Sequence, residues 1–84
     1  MDYKQSILEC NSVEELDDLF KKLLTSAGDD QAEQVKQSNC FCSALEELMS
    51  DGKVNFPSGG VDFLGFAGGR IPSFKPNTVV NIQK

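Results

Sequence analysis

The strongest constraint on this chain is a stripe of five apolar residues, Leu16, Leu19, Phe20, Leu23 and Leu24, spaced i, i+3, i+4, i+7, i+8. That spacing places all five on one face of an α-helix, and the face has to be buried. Ser12 and Glu15 mark the helix start as a capping box, in which each side chain takes the other's backbone N–H. Acidic residues in the first turn suit the positive end of the helix dipole. Gly28 ends the helix near residue 27. Asp29 and Asp30 offer a second N-cap, with Glu33 three residues after Asp30, and predict a helix over 31–50. Its stripe is weak at Ala32 and Val35 and strong at Phe41, Ala44, Leu45, Leu48 and Met49, and Gly52 closes it. Two amphipathic helices joined by a short loop form a hairpin whose stripes need covering.

After Gly52 the pattern changes from helical spacing to short alternating runs between glycines and prolines. Lys53 to Phe56, Val61 to Phe66 and Arg70 to Lys75 read as three strands, separated by turns at Pro57-Ser58-Gly59-Gly60 and Ala67-Gly68-Gly69. Pro72 lacks an N–H, so the third strand lies at an edge or leaves the ladder there. Thr78 to Lys84 reads as a strand through Val79, Val80 and Ile82, or as a short helix capped by Asn77 or Thr78. Residues 2–10 read as a short helix, or as a tail that docks Ile7 and Leu8. The expected fold is α+β: an N-terminal helical hairpin on a small antiparallel three-strand sheet. One domain spans residues 1–84, with an N-terminal segment (1–11), the hairpin (12–52) and a strand-rich half (53–84).

Eighty-four residues bury only a modest core. Two strong stripes on so short a chain predict a homodimer with residues 13–50 at its interface. The net charge of −5 is unevenly spread. Residues 1–52 hold twelve acids and four bases, a net of −8, and residues 53–84 hold one acid and four bases, a net of +3. The acidic half repels nucleic acid, while the basic half offers Lys53, Arg70 and Lys75 to phosphate. No run of about 18 apolar residues is present, so no membrane span is expected. Met1 to Cys10 lacks the basic start and apolar stretch of a secretory signal. Three cysteines are too sparse for a disulfide framework, which predicts a reducing, cytoplasmic setting.

Histidine is absent, which removes the commonest general base and any Ser-His or Cys-His arrangement within one chain. Cys40 and Cys42 lie two apart on a helix, pointing about 200° away from each other, so they share neither a metal nor a disulfide. Small buried apolar packing is their simpler role. Gly65-x-x-Gly68-Gly69-Arg70 lacks the Gly-Lys-Ser/Thr ending of a phosphate loop and reads as a hairpin turn. Phe56, Phe63, Phe66 and Phe74 could stack on single-stranded bases, but core packing explains them more simply. The acidic pairs Glu14/Glu15, Asp17/Asp18, Asp29/Asp30 and Glu46/Glu47 read as solvated faces and caps, or as a face that imitates a phosphate backbone and fills a basic cleft. No cofactor and no metal are expected, and no enzyme activity.

Three stretches carry a resemblance. Gly52-Lys53-Val54 follows the second helix, Leu64-Gly65-Phe66-Ala67-Gly68 forms a glycine-phenylalanine strand, and Ile71-Pro72-Ser73-Phe74-Lys75-Pro76-Asn77 forms a returning strand. Together with the element order, they resemble the HU/IHF family of bacterial DNA-bending proteins. The resemblance implies a dimer with intertwined helical hairpins. It places Lys75 near a phosphate backbone and Arg70 where the family's basic arm returns. The arm itself is missing, replaced by Ala67-Gly68-Gly69, and with it goes the proline that wedges between base pairs. Pro57-Ser58-Gly59-Gly60 lengthens the first turn, and the chain is acidic where the family is basic.

Two functions follow as expectations. The first is a non-catalytic module whose acidic residues Glu14, Asp17, Asp18, Glu46 and Glu47 bind and modulate another protein, as a phage or mobile-element inhibitor does. The alternative is a weak nucleic-acid-binding, nucleoid-type protein that uses Lys53, Arg70 and Lys75.

Overall fold

A computed structural model describes residues 2–66 and 68–83, with the side chain of Phe66 left aside. The fold is α+β. Helix α1 (Tyr3–Leu8) leads to α2 (Val13–Ser26) and α3 (Gln31–Ser50), followed by strands β1 (Val54–Asn55), β2 (Val61–Phe66), β3 (Gly69–Phe74) and β4 (Asn81–Ile82). The N-terminal segment is thus a helix, capped by the Asp2 carboxylate, which accepts from Gln5 N–H at 3.1 Å.

The sequence signals fix both long helices. Ser12 Oγ accepts from Glu15 N–H at 3.2 Å, and Asp30 Oδ1 accepts from Glu33 N–H at 3.2 Å. The capping box differs in one detail: the Glu15 carboxylate reaches past Ser12 to accept from Asn11 N–H at 2.7 Å. At the end of α3, Gly52 takes φ +76°. Its N–H bonds the Met49 carbonyl at 3.1 Å, and Lys53 N–H bonds the Leu48 carbonyl at 2.9 Å. This double closure needs a left-handed residue, hence glycine.

The core lies where α1, α2, α3, β1 and β3 meet. Ile7, Leu16, Phe41 and Leu45 are fully buried within the single chain. Phe20 packs its ring 5.5 Å from that of Phe41. The premise of a helix-mediated dimer therefore changes. The stripes of α2 and α3 close on each other, and Ile7, Val54 and Phe56 fill the remainder.

The sheet departs from the expected three-strand meander. Two separate antiparallel ladders form, β1 with β4 and β2 with β3. Between β1 and β2 the chain turns through Gly59 and Gly60, both at positive φ, and β2 does not pair with β1. The carbonyl of Lys53 instead accepts from Gln83 N–H at 2.8 Å. The ambiguous C-terminal segment is thereby a strand at Asn81–Ile82, and Lys84 lies outside the described residues. The third strand begins one residue earlier than expected, at Gly69. Of the turn before it, Ala67 lies outside the described residues, and Gly68 has φ +87°.

The β2–β3 ladder has a definite phase. Lys75 N–H bonds the Gly60 carbonyl at 2.7 Å, and Gly60 stands opposite Lys75 by the register that pairs Val61 with Phe74. Bonded pairs alternate along an antiparallel ladder, so Asp62, Leu64 and Phe66 bond Ser73, Ile71 and Gly69. The backbone groups of Val61, Phe63 and Gly65 point away from β3, and those of Arg70, Pro72 and Phe74 point away from β2. Pro72 occupies a position where no ladder N–H is needed, which is why the strand tolerates it.

Candidate functional site

Lys53, Arg70 and Lys75 do not form one basic patch. Arg70 and Lys75 sit five residues apart along the β3 direction, about 17 Å at strand rise. Lys53 belongs to the turn after α3. The Arg70 guanidinium is bound within its own chain. It pairs with the Glu46 carboxylate, lies 3.4 Å from Ser43 Oγ and covers the Phe63 ring at 5.7 Å. Two residues assigned from the sequence to opposite roles thus neutralise each other. Lys75 faces Asp62 at 3.9 Å. Among the described residues, Lys53 is exposed and joins none of the four ion pairs.

Several acids are also engaged. Asp17 pairs with Lys21 at 2.9 Å, one helical turn on. Glu47 pairs with Lys4 at 2.5 Å, which ties α3 to α1 and raises the Lys4 ammonium pKa through the hydrogen bond to that carboxylate. Glu14 and Asp18 are exposed and join no ion pair among the described residues. Asp18 borders an open groove of about 310 Å³ between α1 and α2, with Glu9, Glu15 and Lys22. Glu14 and Asp17 border a smaller groove of about 210 Å³, whose far wall is Phe74, Lys75 and Thr78.

The strand phenylalanines do not present a common stacking face. Phe56 is buried with its ring 6.2 Å from that of Phe74, and Phe63 lies under Arg70. The Phe66 side chain lies outside the described residues.

The cysteines differ in setting. Cys10 Sγ donates to the Ser6 carbonyl at 3.5 Å, Cys40 is half-buried, and Cys42 is fully buried. Burial pushes the Cys42 thiol from an ordinary 9.0 up to about 11, against the lowering effect of nearby Arg70. A thiol held protonated is a poor nucleophile. Labelling of the native protein with iodoacetamide at pH 8 is therefore expected to spare Cys42, as read by mass spectrometry of the peptides. The sign for stability follows. Between pH 9 and 11 the unfolded chain releases this proton and the folded chain keeps it, so stability falls as pH rises through that window. Thermal melts at pH 8 and pH 10.5 are expected to show a smaller loss in Cys42→Ala than in the parent. An equal loss in both would assign the effect elsewhere.

Two positions that hold β3 against α3 had no obvious signal in the sequence. Ser38 and Asn39 interrupt the weak first half of the α3 stripe. Asn39 Oδ1 accepts from Arg70 N–H at 2.9 Å, Ser38 Oγ donates to the Arg70 carbonyl, and Cys42 Sγ lies 3.6 Å from the same oxygen. These side chains satisfy the outward backbone groups of Arg70, at the start of the outer edge of β3. Among the described residues, no three Cys, Asp or Glu side chains gather as a metal site, and no helix is long and apolar enough to cross a membrane. Comparison of the chain with protein-family models, with curated proteins and with solved structures finds no match in any of the three.

Proposed function

We propose that the chain is a non-catalytic protein-binding module that uses exposed acids of its helical half to occupy a basic surface on another protein and modulate it, as a phage or mobile-element inhibitor does. One observation carries this reading. Two of the three basic candidates face carboxylates of the same chain, whereas Glu14 and Asp18 are exposed and join no ion pair among the described residues. Twelve acids in residues 1–52 steer the approach of a basic groove. Three thiols suit a reducing cytoplasmic setting. A homodimer belongs to this proposal, although the helix stripes are already covered within one chain.

The alternative keeps the HU-like reading, with Lys53, Arg70 and Lys75 touching nucleic acid, and the exposed Lys53 is the feature that favours it. Few phosphates can be neutralised this way, so few counterions are released. Duplex DNA is expected to bind with a dissociation constant above about 10⁻⁵ M near physiological salt. Titration of labelled DNA at two salt concentrations checks this beside a pull-down from host lysate, repeated with the double variant Glu14→Lys, Asp18→Lys. Capture lost in that variant and kept in Lys53→Glu supports the acidic surface. Nanomolar DNA binding that weakens steeply with salt and disappears in Lys75→Ala would establish the alternative.

A further inference from the structure

The two edges of the β2–β3 ladder are treated differently by the chain. On the β3 side, Asn39 and Ser38 take the Arg70 N–H and carbonyl and Pro72 has no N–H to offer, which leaves the Phe74 N–H, at the strand end, as the one outward donor without a partner among the described residues. On the β2 side, the backbone groups of Val61, Phe63 and Gly65 point outward and make no hydrogen bond among the described residues. Leu64, on the alternate face, is 48% exposed. An unpaired edge with an exposed apolar residue is a template for a further strand.

We infer that the β2 edge pairs antiparallel with β2 of a second copy of this chain, about a two-fold axis at Phe63, to give a four-stranded sheet across the dimer. The occupant follows from the register. The three outward residues are centred on Phe63, so a two-fold axis there pairs Phe63 with its mate and Val61 with Gly65 of the second copy. All six outward N–H groups of the two chains then find carbonyls. Asp62 falls opposite Leu64 of the second copy. A slip that centres the axis on Asp62 sets like charges directly opposite each other, which is unfavourable. The position also keeps the strongly acidic halves at a distance, because the joining half carries a net of +3 and the helical half −8. One strand pair covers much less than the roughly 1,200–2,000 Å² of a standard interface. The dimer is accordingly weak, forming between about 1 μM and about 1 mM. This inference stands apart from the acidic surface proposed above.

Sedimentation equilibrium of the full chain across that range tests it, with circular dichroism to check that each variant is folded. The parent is expected to rise from 9.2 kDa toward twice that mass. Leu64→Asp sets a carboxylate opposite Asp62 of the second copy and is expected to weaken the dimer at least tenfold. Leu64→Lys sets a cation there and is expected to associate as tightly as the parent. Hydrogen exchange gives a second readout. The amides of Val61, Phe63 and Gly65 are expected to slow with rising concentration, while those of Asp62 and Leu64 stay constant. A parent that remains monomeric at about 1 mM overturns the inference, as does equal loss in the two Leu64 variants. Concentration-dependent protection on α2 in place of β2 also overturns it. So does a monomer whose β2 amides are protected only by an added basic peptide.

Discussion

Phe41→Ala is expected to remove about 3–5 kcal/mol of stability, the range for a buried phenylalanine whose cavity only partly collapses. Phe41 has 0% exposure and its ring stands 5.5 Å from that of Phe20, so truncation strips contacts from both long helices at once. A domain of this length has roughly 4–13 kcal/mol in total. The variant is therefore expected to be partly unfolded at 37 °C and to show a large fall in urea midpoint with an unchanged slope. Leu45→Ala, at an equally buried site, and Phe20→Ala are each expected to cost about 2–5 kcal/mol. Leu19, half-buried at the rim of the same stripe, serves as the comparison, with a smaller loss expected for Leu19→Ala. Losses below about 0.5 kcal/mol at both Phe41 and Leu45 would mean that the helical faces are misassigned.

The helices were legible because their signals are local. Asp30 and Gly52 bracket α3 within a few residues of its ends, and the i, i+3, i+4 stripe names the buried face directly. The β2–β3 hairpin was legible from the glycine turn between its strands, but the partner of β1 was not, because it is decided far away along the chain. β1 is two residues long and carries no preference strong enough to choose between β2, which is near in sequence, and β4, which begins 26 residues after its last residue. The same distance hid the electrostatics of the candidate site. Arg70 and Glu46 are 24 residues apart, and nothing in composition says that they meet. Ser38 and Asn39 fall where the α3 stripe is weak. They are intelligible only once β3 lies alongside with its outward backbone groups needing partners.

That seam between α3 and β3 carries the second large effect, at Gly69. A Cβ built there would stand 2.8 Å from Val35 Cγ1, 2.9 Å from Asn39 Oδ1 and 3.2 Å from Asn39 Nδ2. Gly69 is glycine because the strand lies this close to the helix, since its φ is not in the left-handed range. In an ordinary strand position Gly→Ala stabilises by roughly 0.5–1 kcal/mol, by restricting the unfolded chain. Here the opposite sign is expected. Gly69→Ala should destabilise by about 1–3 kcal/mol, as overpacking does. Displacing Asn39 also costs the Arg70 N–H its partner, which adds an unsatisfied donor to the steric term. Gly69→Val should cost more and expose the Arg70 amide to hydrogen exchange before the helices open. Val35→Ala supplies the cycle, because removing Cγ1 clears the shortest contact. The double variant Gly69→Ala, Val35→Ala should therefore lose less than the two single losses added together. A stabilising Gly69→Ala would show that α3 and β3 are not this close, and would remove the edge closure from which β2 was identified as the open side of the ladder.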